Sequence, residues 1–370
     1  MSSHDLDVEM KDNEQASLQF DAECTSCGAS IEFDPSGGNL KCPYCGYETT
    51  IAPAESEAES VAQEMDFAQA EATGNFDWGA EKKTIICKSC SAETIYDALQ
   101  VADSCPYCGS NQVMEANDKN SLAPNGVCTF EISDKQAGKN FEKWIKGKWF
   151  MPTEAKRNAK PDAFNGIYVP YWTFDTKTSS RYTAEYGKDR QVKDKDGKEK
   201  TVTDWYPTSG FYQEFIDDHL VSATNRYDRD MMKKVEPYNV LNNKGYRPEY
   251  VAGFLAERYS IGLKDGWNQA RKEIHHHLEN KISKKIKHDN HADRVRSLKF
   301  STTHDGITYK YLMVPLWLSS FTYKEKIYHF MVNGQTGKVG GDVPTSPIKV
   351  AFAIFVTFAV LFILWYFFMN

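Results

Sequence analysis

The sequence predicts an α+β fold: a Tyr- and Trp-rich domain built on antiparallel sheet, with two small cysteine-rich modules before it and a single apolar helix after it. Three observations predict this arrangement. Cysteines recur as Cys24-x2-Cys27-x14-Cys42-x2-Cys45 and again, with the same internal gap, as Cys87-x2-Cys90-x14-Cys105-x2-Cys108. Residues 126–343 alternate aromatic-rich strand patterns with two amphipathic helix patterns, and residues 350–369 carry no charged side chain.

A Cys-x2-Cys turn presents two thiolates to one ion, and two such turns joined by a short β-hairpin complete a tetrahedral shell. The pattern therefore predicts two rubredoxin-like zinc ribbons, residues 20–50 and 84–114, each binding one Zn2+. The ligands are Cys24, Cys27, Cys42 and Cys45 in the first, and Cys87, Cys90, Cys105 and Cys108 in the second. Four protein ligands leave no open position for substrate, so both sites are structural. The second turn of each set reads Cys-Pro-Tyr-Cys-Gly, at Cys42–Gly46 and Cys105–Gly109. Proline fixes φ at the start of the turn and glycine permits the positive φ at its end. Gly28 takes the same place after Cys27, where the second set has Ser91. Paired disulfides are the competing reading; the start of the chain, Met1 to Gln19, is polar and acidic and does not read as an export signal.

Charge argues against nucleic acid as the partner of these ribbons. The chain has a formal net charge of -7, and each four-thiolate Zn2+ site adds about -2. Lys41 is set among Glu23, Glu32, Asp34 and Glu48; Lys82, Lys83 and Lys88 face Glu81, Glu93, Asp97 and Asp103. Neither ribbon has the dense basic face from which phosphate binding derives its counterion release. Residues 1–19 read as an acidic disordered leader, and residues 51–83 as an acidic Ala/Glu linker with too few large apolar residues to form a core.

In the domain, Ser133 is placed as N-cap of a helix with Ala137, Phe141, Trp144 and Ile145 on its apolar side and Gly147 near its end. A longer helix from about Asp265 to His288 has the stripe Trp267, Ala270, Ile274, Leu278, Ile282 and Ile286. Strands are predicted at Tyr168–Phe174, Arg181–Tyr186, Tyr212–Ala223, Val295–Thr303 and Ile307–Leu318, with Asp305-Gly306 as a hairpin turn between the last two. An internal echo links Tyr168-Val169-Pro170-Tyr171-Trp172 with Met313-Val314-Pro315-Leu316-Trp317. Each is read as a proline starting an edge strand above a Trp-centred core, with a peptide-binding sheet edge as the functional alternative. Asn333-Gly334-Gln335-Thr336-Gly337 reads as a tight turn with Gly337 at positive φ.

The run 350–369 is long enough, at about 1.5 Å per residue, to cross a roughly 30 Å hydrocarbon core. Lys338 and Lys349 precede it, and Trp365 and Tyr366 sit near its far end. These flanks and the thiolate ligands together predict a tail-anchored, single-pass membrane protein with its N-terminal domains in the cytoplasm. Lys281, Lys284, Lys285 and Lys287 are the candidate membrane-surface residues, against the plainer reading of a solvated helix end.

Enzyme signals are weak. The sequence has no Gly-x4-Gly-Lys-[Ser/Thr] loop, no His-Glu-x2-His and no Gly-x-Ser-x-Gly. Neighbours on a strand point to opposite faces, so of Asp217-Asp218-His219 only Asp217 and His219 could cooperate. His275-His276-His277 with Glu279 reads as a solvated face, and Cys128 as a small buried side chain.

The tandem ribbons, with Trp144–Phe150, Tyr168–Trp172, Phe215–Asp218, Ala252–Tyr259 and Val332–Val339, resemble a bacterial family of zinc-ribbon membrane proteins. Its members carry labels such as TFIIB-type zinc-ribbon or primosomal-helicase-like protein. The resemblance covers nearly the whole chain and extends to the membrane partner of phage-shock protein A and flotillin-like proteins. It implies a scaffold that recruits such partners to the bilayer, in an envelope-stress response. The alternative is a nucleic-acid-binding ribbon protein of replication or transcription, without helicase activity because the phosphate loop is missing.

Overall fold

The computed structural model describes residues 23–53, 60–70, 82–87, 93–97, 113–116, 122–161, 163–193 and 198–369. The leader, most of the linker, and Cys90, Cys105 and Cys108 lie outside them. The first module is a three-stranded antiparallel sheet of β1 (Glu32–Asp34), β2 (Asn39–Lys41) and β3 (Glu48–Thr49). After β4 (Met65–Asp66), strands β5 (Lys82–Cys87), β6 (Glu93–Asp97) and β7 (Val113–Ala116) form an antiparallel set with β5 central. The domain then supplies β8 (Gly126–Val127), α1 (Asp134–Lys146), α2 (Thr153–Asn158), β9 (Asn165–Lys193), β10 (Glu199–Ser222), α3 (Arg229–Val235) and β11 (Lys244–Gly245). It continues with β12 (Leu255–Glu257), α4 (Leu263–Asn290), β13 (Arg294–Tyr323), β14 (Lys326–Asn333) and β15 (Val339–Gly341), and α5 (Pro347–Met369) follows.

The sheet order β11-β8-β13-β9-β12-β6-β5-β7 reveals what the sequence echo means. The two echoed segments lie side by side and antiparallel, with Val169 opposite Val314, Pro170 opposite Met313 and Tyr168 opposite Pro315. Around that point the neighbours repeat. Strand β12 runs parallel to β9 at Ile167–Tyr168, as β8 runs parallel to β13 at Leu312–Met313. Trp172 donates its indole N–H to Ile261 O at 2.8 Å, and Trp317 donates to Ile132 O at 2.7 Å. Trp172 packs on Tyr259 and Trp317 on Phe130. Each half is thus a short strand, a helix, a long strand and a return strand, and each half's short strand joins the other half's long strand. Both indoles satisfy their only donor in a buried setting, which fixes the lead-in to the opposite helix.

Both helices form where predicted. Ser133 Oγ accepts from Gln136 N and Gly147 closes α1; the six apolar stripe residues of α4 are all buried. Gly337 takes φ +70, in a turn where Asn333 Oδ1 accepts from the N–H groups of Gln335 and Thr336.

Three strand predictions are corrected. The segments Tyr168–Phe174 and Arg181–Tyr186 belong to one strand, β9, because the polar run between them does not turn. Its Thr176, Thr178 and Ser180 point inward and are satisfied by Asp305 O, Glu214 O and Thr302 Oγ1. Asp305-Gly306 is not a hairpin: β13 runs through it, and the positive φ of Gly306 (+59) serves a β-bulge that places two residues opposite Thr176. Pro170 and Pro315 stand in the two central strands rather than starting edge strands. Each stands where the strand beside it runs out: Pro170 O accepts from Ala223 N just past β10, and Pro315 O accepts from Gly334 N just past β14. A missing N–H costs nothing where no ladder partner continues.

The modules are not loose appendages. Phe33 N–H donates to Ala252 O at 3.1 Å, and Ile31, Phe33 and Leu40 join the same buried cluster as α4 and the inner face of β9. Strand β6 pairs with β12, so the second module continues the main sheet. Residues 60–70, within the expected linker, lie on the domain: β4 pairs with β13, and Phe67 packs on Phe174 and Trp267.

Gly266, in the first turn of α4, lets that helix approach Trp172; a Cβ there would lie 2.6 Å from the indole Cδ1. Gly266→Val is expected to lower stability by about 1–3 kcal/mol through overpacking. Gly262→Ala, where a Cβ meets nothing within 4 Å, is expected to leave the thermal midpoint unchanged. Equal midpoints for the two variants would disprove the close contact.

Candidate metal centre and membrane anchor

The two Cys-x2-Cys turns of the first module are built alike. Gly28 N–H donates to Cys24 O and Gly46 N–H to Cys42 O; Cys24 N–H reaches Ala29 O and Cys42 N–H reaches Tyr47 O. The closing glycines have φ +73 and +75, a conformation that strains other residues. Cys24 and Cys42 are buried, and Cys27 and Cys45 are exposed. The sulfurs approach as Cys24–Cys45 at 3.6 Å and Cys27–Cys42 at 3.6 Å. A disulfide needs about 2.05 Å, whereas a tetrahedral shell with metal–sulfur bonds of about 2.3 Å has sulfur–sulfur edges of about 3.8 Å. All four Sγ atoms lie within 4.8 Å of one another, and the group could hold a metal ion. The Tyr47 backbone N–H is the largest influence on Cys45, whose thiol is lowered to about 7, whereas Cys27, although the Ala29 backbone N–H lowers it, is pushed up to about 12 by Cys45, burial and the other two sulfurs. Four thiolates this close repel one another unless a cation sits between them.

Of the second cysteine set, Cys87 ends β5, and Cys90, Cys105 and Cys108 lie outside the described residues. Among the described residues one four-cysteine group is therefore complete.

A second convergence of carboxylates was not anticipated from the sequence. Glu64, Asp175 and Asp218 bring oxygens within 4.8 Å of one another, but the buried Lys310 ammonium stands among them, paired with Glu64 and, at 2.5 Å, with Asp218. Burial works against the charge of Lys310, but Asp218 and Glu64 outweigh it and hold its pKa above the ordinary lysine value. The lysine supplies the cation that these carboxylates need, and the cluster ties residues 60–70 to the sheet. Two bulges assemble it: Asp217 and Asp218 together face Asp175 on one side of β9, and Gly306 and Ile307 together face Thr176 on the other. Asp218, at φ +47, is freed from the ladder and donates its N–H to Asp175 Oδ1 at 2.7 Å.

That bulge also undoes the expectation that only Asp217 and His219 could cooperate, since strict alternation fails across it. Asp218 faces Lys310, while His219 Nε2 lies 3.3 Å from Glu273, which also pairs with Arg229. Burial pushes His219 down to about 4, so its imidazole is neutral there. The three consecutive histidines separate: His275 stacks on Phe300, His276 faces Glu279 at 3.5 Å and His277 meets Glu214 at 3.0 Å. Cys128 is fully buried, and burial raises its thiol to about 12.

At the C-terminal end, Pro347–Phe367 is long and apolar enough to cross a membrane, and none of it is buried against the protein. Its start is pinned to the corner after α1: Ser346 N–H donates to Phe150 O, and Lys349 Nζ to Met151 O, each at 2.8 Å. Trp149 and Phe150 are exposed at that corner. The lysines at the end of α4 lie elsewhere. Lys285 pairs with Asp289 at 2.8 Å and Lys281 lies 3.7 Å from Glu214. The helix they end leads to Asp293, bonded to Gly187 at the far end of β9. Between that end and α5 runs β13, which covers up to roughly 80 Å from Arg294 to Leu318 at about 3.3 Å per residue. Lys281, Lys284, Lys285 and Lys287 are therefore at the end of the sheet remote from α5.

No family model matches the chain, and no solved structure matches it. It is similar to the uncharacterized protein YdjG of Bacillus subtilis (strain 168), 28% identical over 332 residues, which are 89% of this chain and 91% of that protein.

Two outcomes are expected. Elemental analysis finds metal bound to the purified protein, and Cys42→Ser removes one equivalent and loosens β1–β3; metal content unchanged by Cys42→Ser would exclude this cluster. Burial raises the Asp175 carboxyl to about 6, so its ionised form is disfavoured in the folded state. Its destabilisation sets in as pH rises from the ordinary carboxylate range and is complete above 6. Asp175→Asn keeps an oxygen to accept the Asp218 N–H; it should raise the thermal midpoint at pH 7.5 and leave it nearly unchanged at pH 4. A lower midpoint at pH 7.5 would give the charge the opposite role.

Proposed function

We propose that this protein is a cytoplasmic scaffold, anchored in the membrane by α5, whose zinc ribbons help to recruit a protein partner to the bilayer. The observation that carries this reading is the combination of an unburied apolar helix with a metal-type cysteine module docked on the domain from which that helix leaves. Zinc is the ion that best suits four cysteine sulfurs in a closed shell, in the first set and, by identical spacing, in the second. Lys338 and Lys349 before the span, and the need for reduced thiols, support a cytoplasmic domain.

Partners of the phage-shock-protein-A or flotillin-like kind follow from the family resemblance alone. Nucleic acid is disfavoured by the net charge of -7 and by Lys41 being neutralised by Glu48 at 2.6 Å. Binding rather than catalysis is supported by the engagement of the buried charges: Lys310 with Glu64 and Asp218, and Glu257 with Arg226, hold elements of the fold together.

The membrane-facing surface in this reading is the α1–α2 corner, where Trp149 and Phe150 stand beside the start of α5 and Lys148 lies over Trp144. Aromatic side chains with adjacent lysines suit the headgroup level. The lysines at the end of α4 have no part in it.

Cell fractionation tests the anchor. Removal of Pro347–Asn370 is expected to move the protein to the soluble fraction, with a residual membrane pool that is lost on Trp149→Ala/Phe150→Ala and not on Lys284→Ala/Lys287→Ala. A truncated protein that stays on the membrane until Lys284 and Lys287 are removed would reverse the assignment of the surface. Full retention through every variant would defeat the anchor itself.

A further inference from the structure

The internal two-fold gives each edge of the central sheet a counterpart, and one counterpart pair is unequally filled. Beside β8, the outer edge of β13 carries β4, with Asp66 opposite Thr308 and Met65 opposite Tyr309. Phe67 N–H donates to Ile307 O at 3.1 Å, and the Asn125 amide donates to Gln63 O at 2.7 Å. The equivalent edge is the start of β9 beside β12. Among the described residues no strand pairs there before Ile167, where the pairing with β12 begins. A cleft of about 630 Å3 opens instead, with Phe164, Gly166, Phe254 and Trp317 along its floor and Glu32 and Asp34 of the cysteine module in its far wall.

We propose that this cleft receives an extended, cationic segment of a partner protein, which adds to the edge of β9 as β4 adds to β13. The inference rests on the scaffold reading and names the chemistry of the partner. Three features carry it. The first is the backbone: the alternation that aims Pro170 O at Ala223 N turns Gly166 to the same side, where its C=O is taken up by the parallel pairing with β12 at Leu255 and its N–H lies beyond that ladder, beside the cleft. The second is the floor, where the rings of Phe254 and Trp317 close over Gly166 so tightly that a Cβ would lie 2.5 Å and 2.9 Å from them. The same two rings line the cleft, so they offer an apolar side chain of an incoming segment a surface to lie against. The third is charge: Glu32, Asp34 and Asp134 line the cleft, and of its two lysines Lys41 is taken by Glu48. That leaves Lys135 against three carboxylates, a balance that favours Lys or Arg on the incoming strand.

The cysteine module forms one wall of the cleft, and its seating through the Phe33 N–H to Ala252 O bond and the Phe33–Tyr250 ring contact sets the width. A folded, metal-loaded module is therefore a condition for binding, which gives the ribbon a mechanical part in recognition.

The test uses the full chain in lipid nanodiscs, panned with phage-displayed linear heptapeptides, followed by titration of a synthesised winner. Enriched peptides are expected to place Lys or Arg next to a large apolar residue and to slow hydrogen exchange at Gly166. They should bind Asp34→Lys/Asp134→Lys about tenfold or more weaker, as loss of paired rim charges implies, and lose affinity when their alternate amides are N-methylated. No enrichment, enrichment of acidic peptides, or unchanged binding to the charge-reversed protein overturns the proposal. Self-association of the wild type that the charge-reversed variant loses would assign the cleft to a second copy of this chain and also overturn it. Because the readout uses purified protein, it is independent of the anchor: peptide binding can stand if fractionation defeats the scaffold, and fail while the scaffold stands.

Discussion

Everything else in this molecule hangs on the antiparallel pairing of β9 with β13 across Val169 and Val314. The pairing is between two copies of one structural unit, and it is made irreversible in topology by exchange: each half gives its short strand and helix lead-in to the other half's long strand. The two tryptophans enforce this. A buried indole N–H left without an acceptor costs about 1–3 kcal/mol, and each finds its acceptor on the opposite half, Trp172 at Ile261 and Trp317 at Ile132. Neither half can bury its core alone, so the domain folds as one unit despite its duplicated plan.

The two halves then diverge by what is laid on their outer edges. On β13 the addition is β4, held by a lysine with no counterpart in β9: Lys310 occupies the place that Asn165 takes in the other half. Buried ion pairs are poor sources of net stability, because desolvation offsets most of the Coulomb gain, but removing one partner costs about 3–5 kcal/mol. Such a cluster specifies position more than it adds stability. Glu64 reaches Lys310 only when residues 60–70 lie in this register, and the bulges beside Asp175 exist to bring Asp218 to the same point.

The features legible in the sequence are those with a local cause. The stripe of α4 and the cap of α1 follow from helical periodicity and one serine side chain; the cysteine turns follow from ligand spacing and glycine at positive φ. The echo around Val169 and Val314 was visible as well, but its meaning was not, since pairing of two segments so far apart in sequence leaves no local mark. Strand length is hidden at Thr176, Thr178 and Ser180, which look like a turn but are buried hydroxyls with hydrogen-bond partners on neighbouring strands. Asp305-Gly306 carries the same φ requirement in a bulge as in a hairpin, so composition alone cannot distinguish them. The Glu64–Lys310 pair and the exposed Trp149 and Phe150 beside α5 depend on tertiary placement and had no sequence signal beyond residue type.

The position of α5 is set by contacts at one end of the sheet. Helix α5 leaves from the corner after α1, at the end of the sheet where β13 and β14 turn, and the first turn of α5 is fastened there by Ser346 and Lys349. Strands β9, β10 and β13 run away from that corner, so the paired ends of β9 and β10 at Lys193 and Glu199 and the end of α4 lie at the opposite pole of the domain. The cysteine module sits between the poles, seated on Ala252 beside the start of β9. A partner segment held in the cleft would lie close to the corner from which α5 leaves rather than at the far end of β9. The unequal halves thus acquire a physical sense: one edge is closed by the chain's own strand and stiffens the domain, and its twin, nearer α5, is left with an aromatic floor and an acidic rim beside the short pairing with β12.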